Sequence, residues 1–444
     1  MFGAIGGLSL ILVGASCGFG QQDGDGMTDR ERALLDRIAK LEERLAALES
    51  KLAGVPAPAP GAPLSATPSS VQSQVSSPAP EVPQPKVEGD SRRPEWLRDT
   101  TVSAYFDGYY LWNTNRPPGR VNPLRAYDVT ANSFSINQTG LVVERTPALD
   151  AGRRWGYRLD LMLGQATQAL QGSALNEPRP QVYRSLFQAY GTYVVPLGKG
   201  LTVDFGKWAS ALGFENNYTK DQINYSRSYL FAFLPAYHTG LRTSYNASGK
   251  VGFGYWLVNG ANQTEDFNGS KSHVAQLILN PAKTLSWTVQ YYTGRERGGQ
   301  VPRGNDRLHI VDTYGTWSPA SKLVLGAEMD YVINRVEKVA PPRRVVGGAA
   351  YLKYALTPRF YFGQRYVRLN DRAGLFSGAV RNLNDVTSTF AFRPVEGFET
   401  RLEFRRDFSN TPFFPASQPG HLKKEQNTIT LGLLWWFGEK QGAW

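Results

Sequence analysis

The stretch FETRLEFRRDF, Phe398–Phe408, decides how the rest of this 444-residue chain is read. In an extended backbone, successive side chains point to opposite faces. Phe398, Thr400, Leu402 and Phe404 therefore share one face, and Glu399, Arg401, Glu403 and Arg405 share the other. An apolar face against a protein core would make this a half-exposed strand of a soluble sheet. An apolar face against lipid would require the charged face to line water inside a closed barrel. The remaining sequence settles which.

From Thr101 onward the same alternation recurs. Val102, Ala104, Phe106 and Tyr110 oppose Ser103, Tyr105, Asp107 and Tyr109, and Leu323, Leu325, Ala327, Met329 and Tyr331 oppose Gly326, Glu328 and Asp330. Ile429, Leu431, Leu433, Trp435 and Phe437 oppose Thr428, Thr430 and Gly432. There are about sixteen such segments, an even number, as a transmembrane barrel of antiparallel strands requires. The connections carry more information still, because short and long ones alternate. Turn chemistry marks the short ones, at 196–200, 246–250, 280–284, 318–322 and 356–359. Between them lie longer polar loops, at 114–131, 165–182, 209–237, 259–271, 294–307, 334–344, 370–383 and 408–425. An up-and-down barrel in an outer membrane has short periplasmic turns and long external loops, whereas a soluble sandwich has no reason to sort loop length by parity. Backbone groups in hydrocarbon must pair within the protein, so the sheet closes on itself. The charged face then looks inward. Aromatic residues near strand ends, Tyr109, Tyr110, Trp112, Tyr291, Tyr292, Trp435, Trp436 and Phe437, are expected to form interfacial girdles.

Composition agrees. Aromatics make up 12 % of the chain and glycines number 45, which suits strands and turns. Mean hydropathy is −0.36, because in a barrel wall only every second residue meets lipid. The net charge is +11, but Lys and Arg are scattered with no basic helix, so nucleic acid is not the expected partner. One cysteine and four isolated histidines give no disulfide framework, no metal spacing and no cofactor motif. No Ser/His/Asp or paired-carboxylate arrangement can be placed, so no enzyme is expected.

The N-terminal region differs. Residues 1–20 read as an export signal, with an apolar segment Ala4–Val13 followed by small residues. Residues 27–53 place Leu34, Leu41 and Leu48 at one heptad position and Ile38, Leu45 and Leu52 at the other, predicting a short coiled coil. Residues 54–97, rich in Pro, Ala and Ser, are expected to form a linker without a core, leaving 100–444 as the barrel domain.

Several stretches carry a resemblance: FSINQTGLVVER (Phe134–Arg145), LFQAYGTYVVPLGKGLTVDFGKWASALGFE (Leu186–Glu215), PAYHTGLRTSY (Pro235–Tyr245), YWLVNGANQTEDFNGSKS (Tyr255–Ser272) and YLKYALTPRFYFGQRYVRLNDRAG (Tyr351–Gly374). Over about residues 105–437 the chain resembles the OmpL-like β-barrel porin family (BBP2). The resemblance implies an outer-membrane barrel passing small hydrophilic solutes and leaves the solute open.

Loop 209–237 is the third external loop and the longest, and it contains Glu215, Lys220, Asp221 and Arg227. By analogy with general porins it is the expected constriction. Alternation places Arg158, Asp160, Arg242, Lys353, Arg365, Arg393, Glu399, Arg401, Glu403 and Arg405 on the inner wall. Opposed acids and bases around a pore impose a transverse field that favours polar solutes. Residues 100–444 carry a net charge of +14, much of it in loops, where it faces lipopolysaccharide or steers anions. The expected function is a weakly anion-selective porin, associated with outer-membrane lipid, inserted by the barrel assembly machinery and assembled as a homo-oligomer, with a trimer as the expected state. The alternative is an envelope tether, reaching peptidoglycan through the periplasmic helix and linker.

Overall fold

The computed structural model describes residues 99–171, 177, 179–296, 307–335 and 341–438. The expected signal, coiled coil and linker, and the terminal Trp444, lie outside the described residues.

Sixteen strands form one closed barrel. They are β1 (Thr101–Asn113), β2 (Ser133–Arg145), β3 (Trp155–Leu163), β4 (Leu186–Val195), β5 (Leu201–Ala209), β6 (Tyr237–Asn246), β7 (Val251–Val258) and β8 (Ser272–Ala282). They continue as β9 (Leu285–Arg295), β10 (Arg307–Ala320), β11 (Leu323–Asn334), β12 (Arg343–Ala355), β13 (Phe360–Asp371), β14 (Arg381–Val395), β15 (Phe398–Ser409) and β16 (Glu425–Gly438). Each strand pairs antiparallel with its neighbour in sequence, and β1 closes on β16 with Ser103 opposite Gly438 and Asn113 opposite Thr428. No edge remains unpaired, which is the condition for a sheet in lipid.

Burial follows the alternation. In β15, half-exposed or exposed Phe398, Thr400, Leu402, Phe404, Arg406 and Phe408 alternate with buried Glu399, Arg401, Glu403, Arg405 and Asp407. Outward residues include Phe205, Met329, Phe390, Leu402 and Phe437, all large, apolar and exposed. Loop lengths sort by end: loops such as 114–132 (L1), 210–236 (L3) and 410–424 (L8) leave one rim, and turns such as 247–250, 283–284 and 396–397 leave the other. Short strands Phe414–Pro415 and Leu422–Lys423 pair within L8.

The aromatic girdle needs a correction. Tyr109, Tyr292 and Trp436 are buried and face inward, whereas Trp112, Tyr291 and Phe437 are exposed outward. Adjacent aromatics cannot both meet lipid in a period of two, so Tyr291–Tyr292 and Trp435–Trp436 each divide between the faces. The interior is also not wholly polar. Inward Trp256, Val274, Tyr292, Ile310, Val332, Val345, Val367 and Leu369 form an apolar cluster with Leu212, Tyr229, Leu230 and Leu234 of L3.

Candidate functional site

L3 leaves β5, crosses the lumen and returns to β6. It does so because its polar half finds partners on the wall and its aromatic half finds apolar ones. The turn of helix at Tyr229–Phe233 is capped by Ser228, whose Oγ accepts the Phe231 N–H at 3.1 Å. Tyr229 and Leu230 are buried.

Three parts of the wall hold the loop. On β9–β12, Asp312 Oδ2 accepts the Gly213 N–H at 2.9 Å and Glu328 Oε1 accepts the Phe214 N–H at 3.1 Å. The Phe214 ring stacks on Tyr351 at 4.2 Å. On β13–β15, Arg365 donates to Glu215 Oε1 at 3.0 Å and to the Ser226 carbonyl at 2.7 Å, gripping both limbs of the loop. Glu403 accepts the Tyr225 N–H at 2.6 Å and the Ser226 N–H at 3.1 Å, and Arg401 donates to the Asn224 carbonyl at 3.0 Å. On β1–β4, Tyr225 donates to Asp107 Oδ1 at 2.6 Å, Gln138 donates to the Asn217 carbonyl at 2.6 Å, and Tyr218 bonds Asp160. Backbone groups of an irregular segment need partners wherever water is scarce, and the charged wall supplies them.

Four inward glycines make room. A Cβ on Gly326, Gly347, Gly363 or Gly432 would run into Phe214, Leu230, Ile223 or Tyr225 respectively. A strand glycine without turn duty marks a close approach of this kind. L1 joins the same packing: Arg125 donates to the Arg227 carbonyl at 2.9 Å and pairs with Asp385 and Asp407, and Tyr127 donates to Asn217 Oδ1 at 2.8 Å.

The residues singled out from sequence sort into distinct environments. Glu215, Arg365, Glu399, Arg401, Glu403 and Arg405 are buried between the wall and the loops. Arg405 Nε reaches Asp407 Oδ2 at 3.1 Å, and Arg401 Nε reaches Glu399 Oε1 at 2.7 Å. Arg158 and Asp160 meet at 2.8 Å beneath Tyr218. Arg227 is buried within L3, donating to the Tyr225 carbonyl at 2.8 Å and the Asn216 carbonyl at 3.0 Å. Arg242 does not join them: its Nε donates to Asp204 Oδ2 at 2.8 Å across to the neighbouring strand. Lys220, Asp221, Lys353 and Arg393 stay partly open to water. Lys220 Nζ lies 2.9 Å from Asp221 Oδ1, Lys353 Nζ 4.4 Å over the Tyr361 ring, and Arg393 Nη2 2.9 Å from Glu399 Oε2. Burial pushes the Lys220 ammonium below its ordinary range, and the adjacent Asp221 only partly restores it.

Alternation alone does not single out Asp107, Asp312, Glu328 and Asp385 as anchors, and it has no reach into L1, where Arg125 and Asp128 lie. The inward glycines were the available signal for a loop inside the barrel. Carboxylate oxygens of Asp312, Glu328 and Asp330 lie within 4.8 Å of one another, and both Asp330 oxygens lack a hydrogen-bond partner. Carboxylates so close repel unless a cation or a shared proton sits among them.

Residues 99–437 match the family described as "Putative beta-barrel porin-2, OmpL-like". The chain belongs to this family. Its barrel is similar to the outer membrane channel DcaP of Acinetobacter baumannii, with 11 % identity, a TM-score of 0.52, and coverage of 76 % of this chain and 97 % of that one. It is likewise similar to an anion-selective porin from Comamonas acidovorans, with 8 % identity, a TM-score of 0.51, and coverage of 76 % and 99 %. OprB of Pseudomonas putida matches with 11 % identity, a TM-score of 0.51, and coverage of 76 % and 94 %. At these identities the likeness is one of fold. No curated protein matches this porin in sequence.

Proposed function

We propose that this porin conducts small hydrophilic solutes and ions across the outer membrane, with a weak preference for anions. The observation that carries the reading is L3 laid across a sixteen-strand lumen and tied to its wall by Arg365, Glu403, Asp312 and Asp107. A barrel of this size encloses a channel for water, and a loop across it sets the limiting width. Most interior charges are consumed in pairs. Those still reached by water beside the loop include Lys353, Arg393 and the Lys220–Asp221 pair, a net positive set that favours anions.

The reading assigns no catalysis. His238 lies between the Ser210 hydroxyl and the Gly260 carbonyl, His273 and His309 bond outward tyrosines, and His421 lies in L8, so among the described residues no histidine bonds both a hydroxyl and a carboxylate. β1 begins on the rim of the short turns, which we place in the periplasm together with residues 27–97, whose sequence pattern is that of a coiled coil and linker. Assembly as a homotrimer is supported by an outward apolar groove of about 300 Å³ around Gly108, lined by Phe106, Phe134, Ile136, Leu431 and Trp435. Lipid, lipopolysaccharide and the barrel assembly machinery are the remaining proposed partners.

Planar-bilayer recording on refolded protein tests this. Stepwise conductance with a reversal potential on the anion side is expected. A silent wild type that opens only when L3 is shortened would favour the second reading, a plugged barrel anchoring residues 27–95 for contact with peptidoglycan. Deleting 27–95 should leave conductance unchanged under the first reading.

A further inference from the structure

The outer wall of β9–β13 ends at its external rim in a row of arginines. Arg295 and Arg307 are directly opposed across β9 and β10. The Arg335 N–H donates to the Arg307 carbonyl at 3.1 Å, continuing the register in which Asn334 faces Leu308. On the next strand Arg344 faces Ile333, and the Arg372 N–H donates to the Arg344 carbonyl at 3.1 Å. All five are exposed, as is Arg368, two outward positions deeper than Arg372. Each falls on the outward parity of its strand, shared with Tyr291, Val311, Tyr331, Val346 and Tyr366. At ~4.8 Å between strands, five strands carry the row across about 19 Å.

Like charges directly opposed on a sheet face destabilise it. Among the described residues, no carboxylate forms an ion pair with Arg307, Arg335, Arg344 or Arg372. Of the acids beside them in sequence, the two described ones, Glu296 and Asp371, turn away. Glu296 accepts the Ala261 N–H at 2.9 Å and the Ser272 hydroxyl at 2.8 Å, and burial pushes its carboxyl up. Asp371 accepts the N–H groups of Leu375, Phe376 and Ser377. Among the described residues, these strand ends thus carry their arginines outward while Glu296 and Asp371 bond inward partners.

We propose that this row binds the phosphates of a phosphorylated glycolipid of the outer leaflet, the lipid A moiety of lipopolysaccharide. The inference rests on the reading that the barrel spans an outer membrane with its long loops outside. Guanidinium groups make paired, charge-assisted bonds to phosphate, and a row this wide meets two phosphates at once. The apolar strip below, with Tyr291, Val311 and Tyr366 exposed, suits the acyl chains. Phosphatidylglycerol, with one phosphate, would leave part of the row uncompensated.

Native mass spectrometry of the refolded full chain in detergent, titrated with bisphosphoryl lipid A, tests the proposal. One tightly held lipid per protomer is expected, with affinity falling steeply as salt rises. Each basic residue near an anionic surface contributes about a fivefold gain, so Arg307→Gln with Arg335→Gln and Arg344→Gln should weaken binding roughly a hundredfold. Heat-modifiable gel mobility verifies folding, and Arg335→Gln alone, with about a fivefold loss, serves if the triple variant does not fold. Unchanged binding in the variants, or phosphatidylglycerol binding as tightly as lipid A, overturns the proposal. Conductance separates it from the channel reading, because these arginines face away from the lumen: a silent wild type that binds lipid A would sink only the channel.

Discussion

Arg365 of β13 donates from Nη1 to Glu215 Oε1 at 3.0 Å, with both side chains buried. The same guanidinium reaches the Ser226 carbonyl at 2.7 Å and Asp385 Oδ1 at 3.2 Å. One side chain thereby joins the entering and leaving limbs of L3 to two wall strands. Replacing it by Met strands the buried Glu215 carboxylate, while Asp385 keeps Arg125, a loss of about 3 kcal/mol. Arg365→Met should therefore unfold at lower urea than wild type. Adding Glu215→Gln should recover much of the difference, because the stranded charge is then removed while Asp385 stays paired with Arg125. Equal midpoints for wild type and Arg365→Met would show that the loop is not anchored here.

The Tyr225 ring fills the space that a Cβ on Gly432 of β16 would occupy. Gly432→Ala should force the loop off that wall at an overpacking cost of about 1–3 kcal/mol. The barrel should still close, since residue 432 pairs through its backbone with Tyr109 and Arg401. Single-channel conductance is expected to rise as L3 moves, and Gly191→Ala, with open space around its Cβ, provides a control that should change nothing.

How much of this was legible in the sequence differs by level. The barrel was legible because FETRLEFRRDF and its repeats state the two faces, and because loop length sorts by parity. A single strand such as Leu323–Asn334 already tells which residues point inward. What alternation does not say is what an inward residue meets. Glu403 and Arg401 read as water-facing, yet their partners are backbone groups of Tyr225 and Asn224. Those contacts are more than 170 positions away in sequence, and no local pattern encodes them. Gly326, Gly347, Gly363 and Gly432 did encode them indirectly, as inward strand positions stripped of side chain. Arg125 and Asp128 were hidden for another reason: an irregular loop has no period from which to read orientation.

Lys353 carries a more specific expectation for selectivity. Its ammonium stands over the Tyr361 ring, partly open to water and with Arg393 on the neighbouring wall. Lys353→Glu exchanges a positive charge for a negative one beside the solute path. A field change worth about 1 kcal/mol, or roughly fivefold in the anion-to-cation permeability ratio, is expected. Reversal potentials in a tenfold salt gradient measure it, and a ratio that does not move toward cations would place Lys353 off the path.

Lys220 gives the channel an alkaline limit. Burial disfavours its ammonium more than Asp221 supports it, so its charge is lost at a lower pH than for an ordinary lysine. The unfolded chain holds that proton longer than the folded one, so the residue's destabilising effect lessens as pH rises through the folded value. For conduction the sign is opposite: raising pH removes a cation from the loop and lowers anion preference. Reversal potentials taken from neutral to alkaline pH should drift toward cations before bulk lysines titrate. In Lys220→Arg the charge persists across that range, and the drift should shrink. If Lys220→Arg follows the wild-type curve at every pH, the titrating group lies elsewhere and L3 does not present Lys220 to the passing ion.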